Sequence, residues 1–281
     1  MLIDAHTHLN GEILFDQREY HLKNFEKIWG KILINSGANT FYNQNAISIA
    51  KKAKTLFPNL TTKATIGFSP HDIEDLNRDD FTKLISDLEQ QYLHNQDEII
   101  AIGECGIDLH WTPWQGGSPD GCRGGGLSER GSQQTLFKLQ AELAKKLNLP
   151  LVVHSRDAFE ETIEVLKNFT DLKIYFHCRG YWPKEIQKTE KLLPQVRFGF
   201  TNIISYPNAK QTRESLLTAK KTNLLLETDA PFLPPQTLRW KINYPEYITH
   251  VYEQCAEILE IEQKELKKLI ETNFRRLFEV S

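Results

Sequence analysis

Short apolar segments that favour β-strands alternate with longer amphipathic segments along almost the whole chain. Several of the short segments are continuous hydrophobic runs, which is typical of strands buried on both faces of a parallel sheet. The eight strand candidates are 2–6, 31–35, 63–67, 99–104, 151–154, 172–177, 196–201 and 223–227. Helical patterns lie between or after them at about 41–57, 79–95, 132–147, 157–168, 184–192, 209–220, 245–259 and 263–278. This alternation predicts an α/β fold, a single (β/α)8 barrel of the TIM type.

The domain organisation follows from the length and from one interruption of the alternation. A chain of 281 residues fits one barrel and no linker divides it, so we expect a single domain over residues 1–281. The interruption is a glycine-rich segment at about 112–131. Glycine at this density disfavours helix and strand, so we predict a loop insertion on the rim of the barrel, after the fourth strand. A substrate-covering lid and a disordered insertion both stay open as interpretations.

Composition and charge restrict the partners. No apolar run approaches the roughly 18 residues of a membrane span, and the first residues lack the basic and apolar regions of a signal peptide. We therefore expect a cytoplasmic protein with no membrane partner, and the sequence indicates no obligate protein partner. A net charge of −3 argues against a surface that holds long duplex DNA. Phosphate would be bound locally, by metals or by a few basic side chains.

Metal-ligand residue types recur at the carboxyl ends of five predicted strands, which meet at one mouth of a parallel barrel. They are His6, His8, Glu104, His154, His177 and Asp229. His6 and His8 alternate on one strand and therefore share a face, so both imidazoles can approach one ion. A single His-x-His pair is a weak signal, because a chain with nine histidines often contains one by chance. The recurrence at several strand ends is what predicts a metal centre.

The number of candidate ligands favours two ions rather than one. A catalytic zinc-type ion usually takes three protein ligands and keeps an open position. The natural division gives His6, His8 and Asp229, from the first and eighth strands, to one ion. The other ion takes His154 and His177 from the fifth and sixth strands, and Glu104 of the fourth strand bridges the two. Mixed imidazole and carboxylate ligands suit Mg, Mn or Zn among other divalent metals, and the sequence does not choose between them.

Longer motifs surround these candidates and extend nearly from end to end of the chain. They are Asp4-Ala5-His6-Thr7-His8, Gly103-Glu104-Cys105-Gly106-Ile107-Asp108, the pattern of Gln134, Phe137 and Gln140, residues 150–158, Phe176-His177-Cys178, Glu227-Thr228-Asp229-Ala230-Pro231, and Asn273 with Arg276-Leu277-Phe278. Together they resemble the TatD family of metal-dependent deoxyribonucleases, in the amidohydrolase-like superfamily of barrels. The resemblance implies a TIM-type barrel, a divalent-metal site with the six ligands named above, and hydrolysis of phosphodiester bonds in DNA. Glu104 also separates the chain from relatives such as dihydroorotase, which typically bridge their metals with a carboxylated lysine.

Two positions near the expected substrate depart from the family pattern. Residues 67–71 read Gly-Phe-Ser-Pro-His where the family usually has Gly-x-His-Pro-His. Ser69 thus replaces a histidine, and His71 remains as a candidate contact to the scissile phosphate. Arg179 follows the Phe-His-Cys motif, where the family usually continues with Phe-Ser-Gly. Its planar guanidinium fits a phosphate contact, and a solvated rim residue is the equal alternative.

The resulting functional prediction is a divalent-metal-dependent hydrolase, a TatD-like exonuclease whose substrate is DNA or an oligonucleotide, preferably single-stranded. In this hypothesis Asp229 orients the attacking water and accepts its proton, while Glu104 contacts both ions. Two other functions stay open: hydrolysis of a different small ester, such as a phosphoester, lactone or aminoacyl ester, and a non-catalytic binding barrel. Aromatic residues of the rim could either stack substrate bases or pack loops; they are Trp111, Trp114, Tyr181, Trp182 and Trp240.

Overall fold

Eight parallel strands, each paired with the next strand along the chain, form the centre of the molecule. The computed structural model describes residues 1–71, 78–110, 130–178 and 180–279. The strands are β1 (Leu2–Thr7), β2 (Gly30–Asn35), β3 (Thr61–Ile66), β4 (Ile99–Asp108), β5 (Leu151–Arg156), β6 (Ile174–Phe176), β7 (Val196–Phe200) and β8 (Leu224–Leu226). The sheet curls until β8 lies next to β1, so the predicted (β/α)8 barrel is confirmed.

The helices lie between successive strands and pack against the outside of the barrel. Within the described residues they are α1 (Arg18–Lys27), α2 (Thr40–Leu56), α3 (Phe81–His94), α4 (Arg130–Leu147), α5 (Phe159–Leu166), α6 (Pro183–Leu192), α7 (Lys210–Thr218), α8 (Ile248–Ile258) and α9 (Gln263–Phe278). Each helix predicted from the sequence is present, with ends that differ by a few residues. The pattern left α1 unassigned because it buries few side chains, namely His21, Leu22 and Phe25.

The strands are short but almost completely buried, which explains their hydrophobic sequences. All residues of β1, β4 and β8 are buried. One face of each strand packs inside the barrel and the other packs against helices, so a polar residue on either face needs a partner. Burial of one leucine or isoleucine contributes about 1.5–3 kcal/mol. The buried polar residues at the carboxyl ends of the strands are therefore the exceptions that need a chemical explanation.

Hydrogen bonds close the seam between β1 and β8. The carboxylate of Asp4 on β1 accepts hydrogen bonds from the N–H and the hydroxyl of Thr228, at 2.9 and 2.6 Å. The N–H of Asp229 donates to the carbonyl of His6 at 3.0 Å. These bonds satisfy polar groups that burial would otherwise leave unpaired. They also fix the chain after β8 directly against the histidine-bearing end of β1.

The predicted glycine-rich insertion falls mostly on residues 111–129, which lie outside the described residues, so it stays a prediction. The last residues assigned to it from the sequence, 130 and 131, belong to α4. Among the helices that the structure describes, none combines the length and the apolar character that crossing a membrane requires.

Candidate metal centre

An open cavity of about 1200 Å³ lies at the carboxyl ends of the strands. Five of the six candidate ligands line it, and the sixth, His6, is buried against them. His6 lies on β1, whereas Asp229 follows β8 in the loop that continues the barrel. The structure therefore brings together all six residues that the sequence places at five separate strand ends.

Four side chains from β1, β4 and the end of β8 bring one atom each close to the two imidazole nitrogens of β1. We call these atoms the first donor group: His6 Nε2, His8 Nε2, Glu104 Oε2 and Asp229 Oδ1. The two nitrogens lie 3.1 Å apart, and each is 3.4 to 3.6 Å from both carboxylate oxygens. An ion about 2.1 Å from each of four tetrahedral donors would hold them about 3.4 Å apart. The separations around the two imidazole nitrogens match this spacing, and His6, His8 and Glu104 could together hold a metal ion.

The second donor group uses the other oxygen of the same glutamate. It consists of Glu104 Oε1, His154 Nδ1 and His177 Nε2. The oxygen lies 2.9 Å from His154 Nδ1 and 3.2 Å from His177 Nε2, and the two nitrogens are 3.2 Å apart. Three protein donors leave a position free for water or substrate, which is typical of a catalytic ion. Glu104 belongs to both groups, one through each carboxylate oxygen.

Glu104 reaches both groups because β4 contains a bulge at this position. Between two successive paired positions, β4 advances three residues, from 102 to 105, while β5 advances only two, from 151 to 153. β4 therefore has one extra residue here. Glycines on both sides permit this: Gly103 and Gly106 have φ values of 138° and 148°, which other residues rarely adopt. A Cβ on Gly106 would also lie 1.9 Å from a carbonyl oxygen of β5. The bulge turns the glutamate toward the cavity, as bulges beside active sites often do.

β4 continues to Asp108, four residues beyond its predicted end, because the glycines bend the strand without ending it. Asp108 is an unpredicted member of the site. Its Oδ2 lies 2.8 Å from His154 Nε2 and 2.9 Å from His71 Nε2. Burial alone would raise the pKa of Asp108, but the two imidazoles lower it well below its usual range. Asp108 therefore orients His154 with Nδ1 toward the second donor group.

A second unpredicted carboxylate, Glu227, is buried beside the histidine that follows β6. Its Oε1 accepts a hydrogen bond from the N–H of Cys178 at 2.5 Å and lies 3.8 Å from His177 Nδ1. Its Oε2 accepts a hydrogen bond from the hydroxyl of Tyr175. Burial raises the pKa of Glu227 well above its usual value. Gly199 provides the room, since a Cβ there would lie 2.6 Å from Oε2.

The charges of the donor groups suit a divalent cation. Burial alone would raise the pKa of Glu104, but the surrounding imidazoles, His177 foremost, lower it well below its usual value. The pKa of Asp229 is also lowered, because the hydrogen bond from His8 and nearby imidazoles outweigh burial. Burial lowers the pKa of His6 to about 4. Ionised carboxylates beside a neutral imidazole are the donors that such a cation requires.

The predicted substrate contacts have different outcomes. His71 lines the cavity with about a quarter of its side chain exposed, and its Nε2 faces Asp108. Ser69, which stands where the family pattern has a histidine, is buried and also lines the cavity. Arg179 lies outside the described residues.

The aromatic residues of the rim are predicted either to stack substrate bases or to pack loops, and their surroundings differ. Trp111 and Trp114 lie outside the described residues. Tyr181 is buried, and its hydroxyl lies 2.7 Å from the hydroxyl of Ser155, so this ring packs a loop. Trp182 is half exposed at the cavity, and Trp240 is almost fully exposed.

Comparison with known proteins identifies the family to which the chain belongs. Residues 3–279 match the family model described as TatD related DNase. The chain belongs to the TatD family. It is 33% identical to an uncharacterized metal-dependent hydrolase of Mycoplasma genitalium, over 98% of each chain. It is also 32% identical, over 57% of its own length and 20% of the other, to the human 3'-5' RNA nuclease TATDN2.

Solved structures share the fold of this TatD-family chain. The TatD homologue YjjV of Escherichia coli superposes with a TM-score of 0.83 at 23% identity, covering 100% of this chain and 98% of that one. A TatD-family hydrolase of Entamoeba histolytica gives a TM-score of 0.82 at 17% identity, covering 99% and 97%. At these identities the likeness supports the barrel alone. The sequence relatives establish a metal-dependent hydrolase, and they confirm the family predicted from the motifs.

Proposed function

We propose that this TatD-family hydrolase is a nuclease that removes nucleotides from the ends of DNA, with single strands or short oligonucleotides as preferred substrates. The observation that carries the proposal is the position of Glu104, whose two oxygens belong to different donor groups in an open cavity. Two ions bridged in this way suit phosphodiester hydrolysis, because they can hold both the attacking and the leaving oxygen. The DNase description of the family model supports the same bond type.

The proposed roles divide among the two donor groups. We propose that the cations, Mg, Mn or Zn, are held by His6, His8, Glu104, His154, His177 and Asp229. When bound, two such ions supply Lewis acidity toward phosphate oxygens and make a nearby water more acidic. Glu104 keeps the two donor groups at a fixed separation. Asp229, which is ionised and lines the cavity, orients the attacking water and accepts its proton at the carboxylate.

Substrate recognition is proposed for two further residues. His71 is held by Asp108 at the edge of the second donor group, where an imidazole N–H can contact a phosphate oxygen. Arg179 follows the ligand His177 by two residues, and its guanidinium is suited to a bidentate phosphate contact. The human relative named as an RNA nuclease supports nucleic acid as the substrate class. RNA is therefore the competing substrate to be measured beside DNA.

The test is a substrate screen with purified protein that has been stripped by a chelator and reconstituted with Mn, Mg or Zn. Single-stranded DNA, single-stranded RNA, small phosphodiesters, lactones and aminoacyl esters are compared at equal metal content. We expect metal-dependent cleavage of single-stranded DNA, with the products appearing from one end. Turnover of a lactone or an aminoacyl ester without any phosphodiester cleavage would overturn the proposed nuclease function.

Substitution of the proposed base provides a second measurement. Asp229→Asn keeps the size of the side chain and removes its basicity, so we expect kcat to fall by about 10²- to 10⁴-fold. Circular dichroism and the thermal midpoint of the metal-free protein serve as the control for folding. A variant that turns over at the wild-type rate would show that Asp229 is not the base.

A further inference from the structure

The loop that follows β8 forms one wall of the metal-site cavity. Phe232 lines the cavity, with its ring 6.1 Å from that of His8. Asn243 fixes the far end of the loop, because its side-chain N–H groups donate to the carbonyls of Thr228 and Phe232 at 2.9 and 2.6 Å. Residues 234–242 therefore form the outer part of this loop, and both ends of the loop lie beside the first donor group.

The tip of this loop carries Arg239, Trp240 and Lys241, all of them exposed. The guanidinium of Arg239 lies over the ring of Tyr206, 3.9 Å from its centre, and 5.3 Å from the centre of the Trp240 ring. Tyr206 is anchored in turn, since its hydroxyl donates to the carbonyl of Pro234 at 2.7 Å. We call Tyr206, Arg239, Trp240 and Lys241 the β8 platform.

Loop packing does not account for the tryptophan of the β8 platform. The side chain of Trp240 is 91% exposed, so it contributes almost no burial to the fold. The guanidinium of Arg239 braces the ring, and the remaining ring surface is open to solvent. An open aromatic face beside cationic groups is the combination on which bases of a single strand stack.

The charges around the cavity favour phosphate at the same place. Among the described residues, neither Arg239 nor Lys241 forms an ion pair with a carboxylate. On the cavity wall at the start of α5, by contrast, Asp157 pairs with His110 and Glu160 pairs with Lys188. The cations of the β8 platform therefore attract a polyanion that enters the cavity.

We propose that the β8 platform binds single-stranded nucleic acid next to the metal centre, with one base stacked on Trp240 and phosphates against Arg239 and Lys241. The inference rests on the proposed nuclease function and specifies how that site receives its substrate. Ring faces and phosphates are common to all nucleotides, so the platform has little base preference. Its binding weakens as salt concentration rises.

The separation between cavity and platform makes this binding dependent on substrate length. Trp240 at the tip is the eighth residue after Phe232 at the cavity, which sets an upper limit of about 29 Å on their separation. A strand of several nucleotides can therefore occupy both places at once. A small diester such as bis(p-nitrophenyl) phosphate reaches only the metal centre.

The test compares Trp240→Ala with Trp29→Ala in the metal-reconstituted, full-length protein. Trp29 is a matched control: it is 76% exposed, its φ of 68° is close to the 72° of Trp240, and it precedes β2 at the opposite end of the barrel. The measured quantity is kcat/KM for a single strand of about ten nucleotides, divided by kcat/KM for bis(p-nitrophenyl) phosphate. We expect Trp240→Ala to lower this ratio by roughly 5- to 100-fold and Trp29→Ala to leave it unchanged.

A third variant and the wild type separate the outcomes. Trp240→Phe keeps an aromatic face and is expected to restore most of the ratio, which a role in folding alone would not require. An unchanged ratio in Trp240→Ala, with a wild type that cleaves the strand, overturns the platform and leaves the nuclease function intact. A wild type that hydrolyses bis(p-nitrophenyl) phosphate but no oligonucleotide overturns the nuclease function and the platform with it.

Discussion

Each candidate histidine ligand has a second ring nitrogen, whose partner determines how the ring is held. Asp108 supplies this partner for His154 and the Ser36 carbonyl supplies it for His8, whereas Glu227 Oε1 lies 3.8 Å from His177 Nδ1, beyond hydrogen-bond distance. These partners matter to the proposed chemistry as much as the donors, because a ring that turns away no longer reaches the ion.

The candidate donors and their partners differ in how far sequence can identify them. Histidines and carboxylates at several strand ends form an unusual pattern, so the six donors are predictable as a group. Asp108 and Glu227 are harder, since a single acidic residue in a strand has many structural roles. A usable signal is the period of two along a strand, which places Asp108 on the face of Glu104 and Glu227 on the face of Asp229. Sequence alone does not show which histidine each carboxylate meets.

Glu227→Gln is expected to weaken metal binding by about 10- to 100-fold. The amide keeps the size of the side chain but, unlike the carboxyl group that faces His177 Nδ1, cannot ionise when a cation binds. Titration of the stripped protein with Co or Mn gives the affinity, and the Co absorption spectrum reports the ligand geometry directly.

The matched control for this variant is Glu98→Gln. Glu98 is also buried, but it immediately precedes β4, at the end of the barrel away from the cavity, where it pairs with Lys54. We expect this control to bind metal like the wild type. Equal affinities in wild type and Glu227→Gln would show that Glu227 does not position the histidine.

Metal binding near pH 8 is expected to release a proton from His154. Burial alone would lower its pKa, but hydrogen bonds to Asp108 and Glu104 outweigh burial and raise it from 6.5 to about 10. In the metal-free protein His154 therefore stabilises the fold most below pH 6.5, and this stabilisation is lost as the pH rises through about 10. A ligand imidazole must be neutral at the donor nitrogen, so metal affinity should increase with pH over the same interval.

Isothermal titration calorimetry in buffers of different ionisation enthalpy counts the released protons. Asp108→Asn removes the carboxylate that raises the pKa of His154, so this variant should release fewer protons at pH 8. Metal binding with the same heat in every buffer would contradict the proposed protonation of His154.

At the scale of elements, bulges explain why regular strand geometry is only a first approximation here. β1 pairs with β2 with an irregularity between Asp4 and Thr7, and β4 has the bulge at Glu104. Both irregularities fall where donors enter the cavity. Strands can be predicted from hydrophobic runs, but a bulge depends on the partner strand, and only flanking glycines hint at it in sequence.

The β8 loop offers an element-scale prediction of stability. Asn243 is buried and holds the two ends of the loop together through the carbonyls of Thr228 and Phe232. Asn243→Ala leaves these acceptors without their donor, so we expect the free energy of unfolding to fall by about 1–3 kcal/mol. Urea denaturation of the metal-free protein measures the change.

Asn168→Ala is the control for the loop, because Asn168 is exposed and its side chain bonds, within the described part of the chain, only to carbonyls of its own helix end. Its effect should stay within about 0.5 kcal/mol. Equal losses in the two variants would contradict a special role for Asn243 in holding the loop.

At the scale of the whole molecule, the barrel is the feature that sequence predicts best. Eight buried strands separated by helices leave few alternatives to a closed parallel sheet, and the strand ends then define where a site must form. The β8 platform is different, because the exposure of Trp240 and the stacking of Arg239 on Tyr206 depend on how two loops meet. Sequence placed Trp240 on the rim and left both base stacking and loop packing open, with loop packing the favoured interpretation.

The most direct measurement of the proposed two-ion centre is a titration of the stripped protein with Mn while bound metal and hydrolysis of a single-stranded oligonucleotide are followed together. We expect two ions per chain, with activity that rises as the second ion binds. Glu104→Gln, which weakens the shared bridge, should lose the second ion and nearly all activity. Full activity in verified metal-free protein, or wild-type stoichiometry and turnover in Glu104→Gln, would contradict a centre bridged by Glu104.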